Sequence, residues 1–207
     1  MAGGMNAFEE VLIKYFGQAG LQKIQSTAVG IAGLGGLGSN CAVNLVRSGF
    51  RKLILADFDK VEYSNLNRQF YFLDQVGLYK TDCLKANLLR INPDLDIVLV
   101  TQKISTDNAS AVFTDCDVVV EAFDKAEYKC LMANIFLGSE KLFVSASGLA
   151  GWGNSDAIRI KEIKEKSFLI GDSYSEATVS LPPCAPRVAI AAAKEADVIL
   201  SWVMDKR

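Results

Sequence analysis

The chain has 207 residues, half of them apolar, with 22 Lys and Arg against 24 Asp and Glu and a formal charge of -2. That length supports one sizeable core, and a sequence pI near 5.3 excludes the broad positive field that gathers nucleic acid or anionic lipid. No histidine occurs, so the commonest general base and the commonest metal ligand are both missing.

Phe8, Val11, Leu12, Tyr15 and Phe16 recur at helical spacing and predict an amphipathic opening helix over 6–17. Short apolar runs then alternate with longer amphipathic stretches. They predict strand 27–32, helix 36–49, strand 52–57, helix 78–91, strand 96–101, helix 106–113, strand 116–121, helix 125–137 and strand 141–146. Such alternation implies an α/β fold of Rossmann-like type, a mostly parallel sheet with helices on both faces. Segments 156–162 and 166–171 flank a Lys-rich link and predict an antiparallel C-terminal extension at one edge. Leu181-Pro182-Pro183-Cys184-Ala185-Pro186 is a rigid break, and Arg187 to Met204 is a helical run rich in alanine. The expected organisation is a single domain over 1–207: the opening helix 6–17, a nucleotide-binding core 27–150, and the antiparallel extension with the last helix over 151–207.

Cys41, Cys83, Cys116, Cys130 and Cys184 are scattered, and no two stand at zinc-site spacing. No structural zinc is expected. Cys41, Cys83 and Cys130 fall in predicted helices and read as buried reduced thiols. The amino terminus lacks a basic segment followed by an apolar core, and no apolar run is long enough for a bilayer. The expectation is a cytoplasmic protein with no membrane or nucleic-acid partner.

Strand 27–32 runs into Gly33-Leu34-Gly35-Gly36-Leu37-Gly38 and then a helix, the usual cradle for a nucleotide phosphate. Gly33 permits the tight turn, Gly35 lets backbone approach a phosphate, and Gly38 allows helix and sheet to touch. Asp57 ends the second strand, where a carboxylate accepts ribose hydroxyls, and Asp59 follows on the same side of an extended chain. In the polar stretch Ser64-Asn65-Leu66-Asn67-Arg68-Gln69, a held guanidinium offers the forked grip on phosphate that lysine cannot copy. Lys80 precedes a helix and lies within reach of the phosphates. Asp124 falls at the carboxyl edge of the parallel sheet, where a hard oxygen suits Mg²⁺ held jointly with substrate phosphates.

These motifs, with Arg90-Ile91-Asn92-Pro93, resemble in their order the ThiF/MoeB group, bacterial relatives of ubiquitin-activating enzymes, over about residues 27–150. Val118 to Glu127, Ser145 to Gly151 and the Pro186-Arg187-Val188 tripeptide are similar to the short ThiF form. The resemblance implies an adenylyltransferase that uses ATP and Mg²⁺ on the C-terminal Gly-Gly of a small ubiquitin-like sulfur carrier of the ThiS type, in thiamine thiazole biosynthesis. Pyrophosphate is released. It further implies Arg68, Lys80 and Asp124 as the catalytic set, with Asp124 on Mg²⁺. Gly33, Gly35, Gly36, Gly38, Asp57, Asp59, Asn67, Arg68, Gln69 and Lys80 would bind the nucleotide. A homodimer is implied as well.

Three departures stand beside the matches. No arginine precedes Arg47, Lys125 stands where relatives place Asn after the aspartate, and the paired CxxC motifs of longer relatives are missing. Cys184, the one cysteine in a predicted loop, is confined between prolines and is not assigned a covalent role. Two alternatives remain open: a related enzyme that acts on a tRNA nucleoside carboxylate, and a noncatalytic nucleotide-binding scaffold subunit.

Overall fold

The computed structural model describes residues 6–205. Its elements in chain order are α1 (Ala7–Ser26), β1 (Ala28–Ala32), α2 (Gly36–Arg47), β2 (Lys52–Ala56), α3 (Lys80–Leu89), β3 (Asp96–Val100), α4 (Ala109–Val112), β4 (Val118–Glu121), α5 (Ala126–Phe136), β5 (Leu142–Ala146), β6 (Arg159–Lys164), β7 (Ser167–Gly171) and α6 (Ala185–Asp205). The strands form one sheet in the order β3-β2-β1-β4-β5-β7-β6. All neighbours pair in parallel except β6 and β7, which form the antiparallel edge. The expected α/β architecture, Rossmann-like with a C-terminal antiparallel extension, is the one observed.

The central strands are continuous apolar runs because helices cover both of their faces. Val118 and Val120 of β4 join a core with α2 and α6, whereas Val119 joins the opposite core with Phe113, Met132, Phe136 and Phe143. The alternation of side chains along one strand thus feeds two cores. β1 lies between β2 and β4, so successive connections depart to opposite sides and leave a crevice at the carboxyl ends. No helix among the described residues is long and apolar enough to cross a membrane.

Three local expectations are corrected. The opening helix does not stop at residue 17 but resumes past a kink at Gly17 (φ 69°) and continues to Ser26, because Leu21 and Ile24 bury in the core. The helix expected over 106–113 shrinks to the single turn of α4. Just before it the Asn108 carboxamide accepts from the Ser105 amide at 2.9 Å, a local bond that competes with helix. Cys130 is exposed, in contrast to the buried Cys41 and Cys83. It stands two residues from the buried Met132, about 200° around α5, and therefore on the solvent face.

One buried group sets a pH dependence. Glu195 of α6 is 0% exposed, and among the described residues neither carboxyl oxygen has a hydrogen-bond partner. Burial pushes its pKa from 4.5 up to about 8, a rise tempered by Lys129 and reinforced by Glu121. Above about pH 4.5 the unfolded carboxyl ionises while the folded one keeps its proton, so stability is greatest below that pH and falls until about pH 8. The penalty approaches roughly 5 kcal/mol. Glu195→Gln is therefore expected to unfold at a higher denaturant concentration than the parent near pH 8, with the gap closing toward pH 5. Chemical denaturation at both pH values reads it, and a gap that does not change with pH would contradict the assignment.

Candidate functional site

Backbone geometry builds the first wall. Gly33 turns the chain out of β1 at φ 93°, and its amide donates to the Ala56 carbonyl at 2.8 Å. A Cβ on Gly38 would sit 1.9 Å from the Gly33 carbonyl oxygen, so α2 starts directly against the turn. A Cβ on Gly35 would meet nothing nearer than Gln69 Nε2 at 3.8 Å, and this backbone is open to the cleft. Since the obstacle at Gly38 is backbone, Gly38→Ala is expected to cost about 3 kcal/mol. A drop in thermal midpoint checks this, and unchanged melting would show that the turn relaxes freely.

The polar stretch 64–71 is tied to that turn by several bonds. Ser39 Oγ donates to the Gly35 carbonyl at 2.6 Å and accepts from the Phe70 amide at 3.0 Å. Asn40 Nδ2 donates to the carbonyls of Gly36 and Arg68 at 2.7 and 2.9 Å. The Tyr71 hydroxyl donates to the Leu34 carbonyl at 2.8 Å, and burial raises its pKa. Arg68 is half-buried on this frame, its Nη1 donating to the Ser64 carbonyl at 3.1 Å and to Asn67 Oδ1 at 2.8 Å. Gln69 is buried at the cleft wall with its Oε1 unpartnered among the described residues, a polar atom that a ligand could satisfy.

Lys80, at the start of α3, is 6% exposed and does not hang free. Its Nζ lies 3.0 Å from Asp59 Oδ2 and 3.9 Å from Asp57 Oδ2. Asp57 also accepts from the Leu34 amide at 2.7 Å and the Asp59 amide at 2.8 Å. Burial raises the Asp57 pKa, while Lys80 and those two amides pull it back. Asp59 is thus an ion-pair partner of Lys80, a relation that separation by 21 residues hides in the sequence.

The opposite wall comes from the ends of β4 and β5. Asp124 is exposed in the turn after β4 and lines the cleft, and no side chain among the described residues bonds its carboxylate. Phe123 and Tyr128 pack with ring centroids 5.4 Å apart, and Lys103 lies 5.1 Å over the Tyr128 ring. Ala146 to Ala150 continue the wall beyond β5. The cleft measures about 480 Å³ and brings together Gly33, Gly35, Gly36, Asp57, Asp59, Arg68, Gln69, Lys80 and Asp124. Gly38 and Asn67 stand just outside it, Gly38 behind the turn and Asn67 holding Arg68.

Sequence reasoning missed several supports. Arg187, 4% exposed at the start of α6, donates to the carbonyls of Gly153 and Asn154 and to Asp172 Oδ2. This anchors the segment whose Ser175, Glu176, Ala177 and Pro183 line the cleft. Burial raises the Asp172 pKa, but the Ser175 and Tyr174 amides and Arg187 outweigh it, and the carboxyl stays below its usual range. Cys184 is half-buried beside these residues, its Sγ 3.5 Å from the Pro182 carbonyl oxygen. Lys125 is exposed at the cleft beside Asp124. Among the described residues no three His, Cys, Asp or Glu side chains gather to hold a metal. A lone carboxylate fits Mg²⁺, which takes one or two carboxylates together with substrate phosphates and retained waters.

The chain is similar in sequence and fold to known proteins. The tRNA threonylcarbamoyladenosine dehydratase of Bacillus subtilis is 31% identical over 152 residues, 72% of this chain and 59% of that protein. The adenylyltransferase and sulfurtransferase MOCS3 of Drosophila virilis is 33% identical over 141 residues, 68% of this chain and 31% of that protein. The chain therefore spans less than two thirds of the length of these curated relatives. A crystal structure of E. coli tRNA N6-threonylcarbamoyladenosine dehydratase in complex with ATP superposes with a TM-score of 0.86 at 19% identity, covering 95% of this chain and 93% of that one. Residues 9–195 match the ThiF family along both walls of the cleft, and the chain belongs to that family.

Proposed function

We propose that the chain adenylylates the C-terminal glycine carboxylate of a small ubiquitin-like sulfur carrier of the ThiS type, for thiamine thiazole biosynthesis, and that it does so as a homodimer. The observation that carries this reading is the convergence of Arg68, Lys80 and Asp124 on the glycine turn in one cleft. A carboxylate oxygen attacks the α-phosphorus of ATP, the bond to the pyrophosphate oxygen breaks, and acyl-adenylate and pyrophosphate leave. No proton moves in that step, so the missing histidine is no obstacle.

The barrier is electrostatic. Two unit charges about 4 Å apart repel by roughly 4 kcal/mol at an effective dielectric near 20, on the order of a thousandfold in rate. Arg68 offers a fork to phosphate oxygens, and Lys80, already desolvated beside Asp59, exchanges one anionic partner for another. The amides of the glycine turn and of the α2 start add donors. Asp124 would hold Mg²⁺, which supplies charge neutralisation on the phosphates when bound. Asp57 and Asp59 stand at the ribose end of this reading, the unpartnered Gln69 Oε1 is available to the nucleotide, and Asn67 beside Arg68 completes the nucleotide-binding set.

A second reading has its own support: the likeness to the tRNA-modifying dehydratases runs over 72% of the chain in sequence and 95% in structure. Against it stands the mixed charge of the cleft lining, where Asp57, Asp59, Asp124 and Glu176 offset all but one of the cations Arg68, Lys80, Lys103, Lys125 and Lys129. A nucleic-acid site carries a basic face. A noncatalytic scaffold is disfavoured by the intact Arg68, Lys80 and Asp124. ATP–pyrophosphate exchange by the purified chain separates the three. Dependence on a Gly-Gly carrier supports the proposal, dependence on tRNA replaces it with the second reading, and ATP binding with neither exchange leaves the scaffold.

A further inference from the structure

The β4–α5 turn and the end of β5 are joined by an ion pair, buried at Glu121 and half-buried at Lys129, that the reaction itself does not use. Glu121, 1% exposed at the end of β4, accepts from the Phe123 amide at 2.8 Å, one residue before Asp124. Lys129, one turn into α5, donates to both Glu121 oxygens at 3.2 and 3.1 Å and to the Ala146 carbonyl at 2.9 Å. Its ammonium is therefore shared between the strand end that leads to Asp124 and the neighbouring strand end that leads to Ser147 and Gly148. All of these residues except Glu121 line the cleft.

We infer that Lys129 is a positioning residue for the adenylylation proposed above: by clamping Glu121 to the Ala146 carbonyl it sets the distance between Asp124 and the wall along which the acceptor carboxylate arrives. This rests on the proposed function. The chemistry favours a clamp over a ligand contact, because three short bonds already occupy the three hydrogens of the ammonium. Burial pushes the Glu121 pKa up, while Lys129 and the Phe123 amide draw it down, so the pair depends on both members. The glycine turn, Asp57 and Lys80 hang from β1, β2 and α3 and do not share these bonds. Loss of the clamp should then separate catalysis from nucleotide binding.

The test is carrier-dependent ATP–pyrophosphate exchange and ATP titration by Lys129→Met, Lys129→Arg and the double variant Lys129→Met with Glu121→Gln. The double variant leaves no uncompensated buried charge if the single one unfolds. For the Met variants kcat is expected to fall about a hundredfold, the scale for roughly 1 Å of misplacement, with ATP affinity held near that of the parent. Lys129→Arg, which can bridge the same oxygens, should recover most of kcat. Parent-like kcat in the Met variants, or an equal loss of ATP affinity, overturns the inference. If the parent itself shows no carrier-dependent exchange, the proposed function fails, and a crystal structure of the double variant still decides the clamp. Separation of Asp124 from Ser147 supports it, and superposition of both on the parent refutes it.

Discussion

Asp124→Ala is expected to lower AMP transfer by up to about a thousandfold while leaving the thermal midpoint close to that of the parent. The first half follows from charge: on the proposed reading the variant loses the cation held against the phosphates, and only Arg68, Lys80 and the turn amides remain to offset a repulsion of roughly 4 kcal/mol between two close anions. The second half follows from burial. Asp124 is exposed, and no described side chain bonds its carboxylate, so truncation removes no packing and no partner. Pyrophosphate exchange, mass spectrometry of the carrier tail and circular dichroism together read both halves. Undiminished turnover would remove the assignment of Asp124 as the metal-holding group, and a collapsed fold would mean the turn needs that carboxylate structurally.

Arg68→Lys, which keeps the charge, is expected to lower kcat/KM for ATP by about a hundredfold, or roughly 2.7 kcal/mol. Arg68 is aimed by two bonds from one nitrogen, to the Ser64 carbonyl and to Asn67 Oδ1, and its other guanidinium nitrogens remain for a forked contact. A lysine ammonium is a point donor that cannot both stay on that frame and grip two oxygens. Steady-state exchange kinetics at varied ATP give the value. Activity within a few-fold of the parent would show that charge alone suffices, and would weaken the case for a pre-aimed guanidinium.

Much of the fold was legible because its signals are local. The apolar runs 28–32, 53–56 and 118–120 are buried or half-buried throughout, so burial on both faces wrote continuous hydrophobicity into consecutive residues. The glycine turn was equally plain, since the left-handed φ at Gly33 and the missing Cβ at Gly38 are demands on single positions. The extent of α1 was not legible: what keeps the chain helical past Gly17 is the burial of Leu21 and Ile24, which periodicity up to Phe16 does not reveal. The exposure of Cys130 escaped for a related reason, as an apolar residue carries no mark of which helix face meets the core.

The residues themselves determined that a phosphate-cradling turn, a polar arginine loop and an acidic strand end follow one another on a parallel sheet, because helix, strand and turn chemistry act over a few neighbours along the chain. Only the tertiary structure decided which charges meet. Lys80 on Asp59, Arg187 on Asp172, and Lys129 between Glu121 and the Ala146 carbonyl are separated by 21, 15, 8 and 17 positions. Glu195, whose carboxyl has no hydrogen-bond partner among the described residues, is sealed in the core by the packing of α6 on α2 and β5. Electrostatic partnership depends on distance in space and on the water excluded around it, and both are set when the helices close over the sheet.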